Sequence, residues 1–275
     1  MNQIIHYFET IPSLHRALLL AGGIAFFWLT ESIKPLFNFD YQKRQHAGIN
    51  IFFTITTIIV NFLMAFILLW TANWTIENHF GILQILPAIN PWLYLLIGLL
   101  LLDLIGAYVV HFVEHKVKFL WKFHLVHHSD IWVDTTTANR HHPGESVIRF
   151  LFTTLAVVLV GTPMWMVFLY QSMSVVLSQF NHANISLPVK IDKLLSYVIV
   201  SPDMHKVHHH YVLPHTDSNY GNIFSIWDRL FGTFSTIKRE HIVYGIDTHM
   251  EIEKNNSVTN LLKIPFQKTQ SFEKQ

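Results

Sequence analysis

The chain has 275 residues, 51% of them hydrophobic and only 13% charged, with a formal net charge of +1 and no cysteine. A typical soluble domain carries about 25% charged residues, so the composition argues for one integral-membrane domain, and the near-neutral charge gives nucleic-acid binding no electrostatic basis. The missing cysteines exclude disulfides, thiolate metal sites and iron–sulfur clusters.

Crossing a bilayer takes about 20 apolar residues. The first such run, residues 14–33, begins only after Pro12 and lacks a basic n-region, which is not the pattern of a secretory signal. Residues 48–70 form a second run, free of charge, and residues 91–113 a third, with Asp103 as its only carboxylate before the histidines. The run over 147–180 is too long for one span. Gly161-Thr162-Pro163 sits near its middle, and Thr162-Pro163 reads as an N-cap followed by Pro at the first helical position, so a helical hairpin with two legs, each shorter than a standard span, is expected there. Lys34, Lys43 and Arg44 follow the first run, residues 71–90 hold no Lys or Arg, and Lys116, Lys118, Lys122, Arg140 and Arg149 follow the third. The positive-inside rule then places the N-terminus outside and the histidine-bearing segments and C-terminus in the cytoplasm. The stretch from Glu251 is polar and is expected to be a mobile tail. The expected fold is therefore all-α: an integral-membrane helical bundle of three spans plus a hairpin, with a cytoplasmic histidine-rich helical cap. Its expected divisions are membrane spans over 1–99, a catalytic region over 100–235 and a polar tail over 236–275.

The histidines carry the chemistry. His111 and His115 stand four apart, His124, His127 and His128 form H-x-x-H-H, and the same pattern returns at His205, His208 and His209. Residues i, i+3 and i+4 share one face of a helix, so each block offers several imidazoles to one centre. Histidine is the commonest metal ligand, and a thiol-free imidazole set suits iron, zinc, copper or nickel. Ser201 as N-cap and Pro202 at the first helical position mark where the last block's helix starts. His210, about 140° round that helix from His205, is expected to point away and bind nothing. His6, His15, His46, His79, His215, His241 and His249 lack paired spacing and read as ordinary histidines. His111-Phe-Val-Glu-His115 is not the H-E-x-x-H of zinc proteases.

Several segments together resemble the fatty acid hydroxylase/sterol desaturase superfamily of integral-membrane non-haem di-iron oxygenases. They are 103–115 (DLIGAYVVHFVEH), 121–128 (WKFHLVHH), 140–145 (RHHPGE), 181–185 (NHANI), 201–209 (SPDMHKVHH) and 216–234 (TDSNYGNIFSIWDRLFGTF), in family order. The resemblance implies His111, His115, His124, His127, His128, His182, His205, His208 and His209 as ligands of two iron ions, with O2 as co-substrate. Some relatives place a second histidine four residues before His182, where this chain has Ser178. Asp103, His142, Asp217, Asn219 and Tyr220 are the candidates for orienting the ligands from behind. Asp103 lies about 80° round a helix from His111, and an intramembrane carboxylate is usually functional. Asp228 and Arg229 are expected to form a structural ion pair. Trp121, Phe123 and Trp132 are expected either to line a lipid entry or to anchor at the interface.

The implied reaction is hydroxylation or desaturation of an unactivated C–H bond in a lipid such as a sterol or fatty acyl chain. It needs a separate ferredoxin- or cytochrome-like electron donor and a reductase, since no dinucleotide or haem-attachment fingerprint is present. A zinc-dependent membrane lipid hydrolase is the alternative. A metal transporter or sensor fits less well, because its ligands would lie near the bilayer midplane, whereas these lie at the ends of the apolar runs.

Overall fold

The computed structural model describes residues 1–267. Among them are thirteen α-helices and no strand: α1 (Asn2–Glu9), α2 (Ser13–Ile33), α3 (Lys43–Glu77), α4 (Pro91–Asp103), α5 (Val110–Lys116), α6 (Lys118–His128), α7 (Pro143–Val160), α8 (Met164–His182), α9 (Val189–Leu195), α10 (Pro202–His208), α11 (Ile226–Leu230), α12 (Ile252–Asn255) and α13 (Val258–Lys263). Four helical segments are long and apolar enough to cross a membrane: Ser13–Ile33, Lys43–Gln84, Pro91–Lys116 and Pro143–Val160. The expected hairpin is α7 and α8. Gly161 ends α7 in the left-handed region at φ 71°, where a side chain would strike the Phe80 carbonyl, and Pro163 opens the return helix.

The bundle packs α3 along α7 and α2 along α8, with α4 against both legs of the hairpin. Leu99, Leu102, Val157, Val160, Met166 and Val167 fill its centre. At about 1.5 Å per residue, the 35 residues of α3 reach roughly 50 Å, well beyond a ~30 Å hydrocarbon core. Its base therefore runs into the histidine-bearing cap. There the polar residues of α2 and α3 are buried and paired. His46 bonds Asp130 at 2.9 Å, the Asn50 amide donates to Thr136 Oγ1 at 2.9 Å, and Glu31 Oε2 accepts from the Thr135 and Asn184 backbone N–H groups at 3.1 and 3.0 Å. These contacts lock the cap to the spans at one level. His46, an ordinary histidine by its spacing, proves to be a buried structural one.

The tail expected to be mobile is folded as far as the described residues go; residues 268–275 lie outside them. Leu261 is fully buried beside Phe53, Leu125 and Val126, and the Asn255 carbonyl accepts from Arg140 Nη2 at 3.0 Å. Three or four apolar residues in a polar stretch make no visible period, yet they suffice to cover α6. Leu261→Ala is expected to cost about 2–5 kcal/mol, read as a lowered thermal midpoint with metal content unchanged.

Candidate metal centre

The span begun by α4 does not continue as a plain α-helix. Leu104–Val109 form a π-helical segment before α5, a feature found mostly at functional sites. The wider turn resets the helix phase, so that Asp103 and His111 no longer share a face. His111 and His115 on α5 turn towards α6, which brings His124, His127 and His128. His182 arrives at the end of α8, and His205, His208 and His209 on α10 and its C-cap. All nine histidines are buried, and they sort into two groups. His111, His115, His124, His128 and His208 form one; His127, His182, His205 and His209 form the other, with ligating nitrogens within 4.8 Å of one another in each.

The protons are placed from outside. His111 Nδ1 donates to the Tyr220 carbonyl at 2.8 Å, His124 Nδ1 to Glu145 Oε1 at 2.7 Å, His182 Nδ1 to the Ser178 carbonyl at 2.7 Å and His208 Nδ1 to the Ser218 carbonyl at 2.6 Å. Each Nε2 is left as a lone pair aimed inward. Burial, and the crowding of imidazole on imidazole, pushes His124, His127, His128, His205, His208 and His209 well below the usual histidine range. These rings are neutral, the form that binds metal.

The Nε2 atoms of His111 and His124 are 3.1 Å apart, as are those of His124 and His128. Those of His127 and His182 are 3.2 Å apart, and those of His182 and His205 are 3.0 Å apart. His111 and His124 have both spent their Nδ1 protons outside, so their two Nε2 lone pairs, 3.1 Å apart, repel unless a cation lies between them. Two nitrogens each about 2.1 Å from one ion and at right angles would be ~3.0 Å apart. His115 Nε2, His208 Nε2 and both nitrogens of His209 are buried with no hydrogen-bond partner, which is costly in the absence of a ligand. The residues therefore fit one transition-metal ion in each group.

The fatty acid hydroxylase family model matches residues 95–233, half of the chain, and contains every one of these histidines. The chain belongs to the fatty acid hydroxylase family. It is 29% identical over 131 residues to ornithine lipid hydroxylase OlsE of Rhizobium tropici, covering 47% of this chain and 38% of that one. It is 30% identical over 188 residues to alkylglycerol monooxygenase of Danio rerio, covering 68% and 38%. Cholesterol 25-hydroxylase-like protein 1, member 2, of Danio rerio is 30% identical over 160 residues, covering 56% of each. The chain thus spans 38–56% of the length of these curated relatives. No solved structure matches it.

The family's distal segment, 216–234, backs the ligands mainly through its backbone. Asp228 accepts from the Tyr220 and Gly221 N–H groups at 2.7 and 2.9 Å, which holds the Tyr220 carbonyl against His111. Asn219, at φ 53°, donates its amide to the Met204 and Ser235 carbonyls at 2.8 and 2.9 Å. Asp103 reaches no imidazole. It accepts from Ile223 N, Phe224 N and Trp227 Nε1 at 3.3, 3.1 and 3.0 Å, so it fixes this same segment to the span. Asp217 is nearer the centre, 3.2 Å from His115 Nδ1 and 2.6 Å from Lys116 Nζ. Asp228 and Arg229 do not pair. Arg229 donates to the Ser225 carbonyl at 3.2 Å and lies 4.1 Å over the Phe234 ring, because Asp228 is already taken up by backbone N–H groups.

His142 caps α7, its Nδ1 accepting from Gly144 N at 3.0 Å, and does not face the imidazole groups. Its neighbour His141 does, stacked 4.8 Å from His127 and donating to Glu145 Oε1 at 2.8 Å. Glu145 escaped the sequence reading, although it stands four residues from both His141 and Arg149. Its Oε1 also accepts from Arg149 Nε at 3.0 Å, while Arg149 Nη2 donates to Glu114 Oε2 at 2.6 Å. His210 lies outside both groups, its Nδ1 accepting from Val243 N at 3.1 Å.

A cavity of about 650 Å³ lies between the α2–α8 and α3–α7 pairs. Its floor is Ala138, Asn139, His141 and Ser178, directly over the histidines. Trp121, Phe123 and Trp132 are not in its lining; Trp121 instead covers His115 at 4.8 Å.

Proposed function

We propose that this chain is a membrane-bound di-iron oxygenase that hydroxylates, or desaturates, a C–H bond of a lipid with O2. One observation carries the reading: two buried groups of neutral imidazoles, with their lone pairs turned inward, lie under a cavity enclosed by membrane-length helices. The names of the relatives, a lipid hydroxylase and monooxygenases among them, favour hydroxylation over desaturation. His111, His115, His124, His128 and His208 would hold one iron and His127, His182, His205 and His209 the other. When bound, the pair supplies the redox chemistry that activates O2.

The chain's own residues do the rest. Glu145, Tyr220, Ser178 and Ser218 keep protons on the outer nitrogens, so the inner ones stay free to ligate. The burial of all nine rings keeps bulk water from the site. The cavity holds a lipid C–H bond beside the floor formed by His141 and Ser178. Electrons come from a separate ferredoxin- or cytochrome-like donor and its reductase, docking on the basic face that the Lys and Arg distribution places in the cytoplasm.

Comparative lipidomics of cells with and without the gene, grown under ¹⁸O2, tests this. A lipid that gains one ¹⁸O atom only when the chain is present is the expected result. Unchanged lipid pools would defeat it, and so would zinc-dependent lipid cleavage without O2 consumption.

A further inference from the structure

The cavity has a belt of polar groups that the metal chemistry does not use. Arg16 on α2, Asn61 on α3 and Gln171 on α8 all line it. Among the described residues the Arg16 guanidinium meets only the face of Phe168, at 4.9 Å, and neither amide side chain has a hydrogen-bond partner. Asn61 lies in a segment long and apolar enough to cross a membrane, where an amide without a partner is costly and usually serves a ligand or a pathway.

Three separate helices set the height of this belt. Asn61 is eleven residues along α3 from Asn50, which is bonded to Thr136 at floor level. Gln171 is seven residues along α8 from the floor residue Ser178. Arg16 is fifteen residues along α2 from Glu31, which is bonded to Thr135. At about 1.5 Å per residue Gln171 stands roughly 10 Å above the floor, Asn61 roughly 16 Å and the Arg16 backbone roughly 22 Å. Half of a ~30 Å hydrocarbon core, the reach of one acyl chain, is about 15 Å. Between belt and floor the walls carry Leu20, Ile58, Phe150 and Val175 together with Thr57, Thr153 and Ser174, and Arg149 at the floor end is taken up by Glu145 and Glu114. The way in is lateral. Above the Lys43–Glu31 contact at their base (3.2 Å), α2 and α3 pack on α8 and α7 rather than on each other.

Resting on the oxygenase reading for what happens at the floor, we infer that the substrate is a chain-bearing amphiphile lying upright in this slot. It enters sideways between α2 and α3. Its acceptor-rich polar group (carboxylate, phosphate or carbonyl) is held by Arg16, Asn61 and Gln171, and its chain runs down to His141 and Ser178. The carbon presented to the histidines is then far from the polar group, about one acyl-chain length away, and not next to it.

Photo-crosslinking of the full-length protein in nanodiscs tests this without turnover, using long-chain fatty acids with a diazirine either beside the carboxylate or at the chain terminus. The carboxylate-side probe is expected to label α2 and α3 around Arg16 and Asn61, and the terminal probe the segments around Asn139 and Ser178. Asn61→Leu combined with Gln171→Leu is expected to lower labelling by both probes several-fold, with metal content unchanged. The reversed pattern, or the same peptides labelled by both probes, would overturn the inference. The predicted labelling in a protein that neither incorporates ¹⁸O into a lipid nor introduces a double bond would sustain the slot and defeat the oxygenase reading instead.

Discussion

Replacing His208 with alanine is expected to abolish lipid oxidation, whereas His210→Ala is expected to leave it within a few-fold of the wild type. The two residues are two positions apart on the same short segment, and a purely local structural role would make them equivalent. They face opposite ways. The His208 ring lies 4.5, 4.8 and 4.6 Å from those of His111, His115 and His128. Its Nδ1 is spent on the Ser218 carbonyl, and its Nε2 is buried without a partner. Alanine there removes a ligand that no neighbour can replace. His210 instead accepts the Val243 N–H group, so its loss should cost about 1 kcal/mol of stability and no chemistry. Product formation per folded protein, with folding checked by thermal melting, makes the comparison. Equal loss in both variants would contradict the division of the helix faces.

The second large effect is expected at Glu145, which is no ligand in either imidazole group. Glu145→Gln should weaken metal binding by about 10–100-fold, the usual cost of removing a partner that orients a ligating histidine. One carboxylate oxygen, Oε1, receives His124 Nδ1, His141 Nδ1 and Arg149 Nε at 2.7–3.0 Å. An amide keeps an acceptor but loses the charge that faces Arg149, and it adds donors that face the N–H groups of His124, His141 and Arg149. Glu145→Ala goes further, since it leaves those buried donors without an acceptor. Competition with a chelator of known affinity reads the effect directly. Wild-type affinity in Glu145→Gln would mean that the carboxylate is only structural.

The fold was largely legible because membrane helices announce themselves by apolar length, and Gly161-Thr162-Pro163 marks the hairpin through backbone chemistry alone. The histidine blocks were legible because helical spacing is local. What stayed hidden depends on contacts between distant segments. Asp103 looked poised to serve His111 on an ideal helix, but the π-helical segment between them rotates it onto residues 223–227. His141 and His142 are adjacent in sequence, and only the direction in which α7 begins decides which one faces the imidazoles. Glu145 and the carbonyls of Ser218 and Tyr220 carry no metal-site signature in themselves. The folded C-terminal segment rests on Leu261 and Ile264, too few residues to show a period.

The central claim is that two separate sets of imidazoles each hold one metal ion. Metal analysis of the purified protein, in the wild type and with one histidine removed from each group, tests it most directly. The wild type should carry two equivalents, and His115→Ala and His205→Ala should each retain about one. A single equivalent in the wild type, or a folded His205→Ala variant with the full wild-type content, would contradict the account.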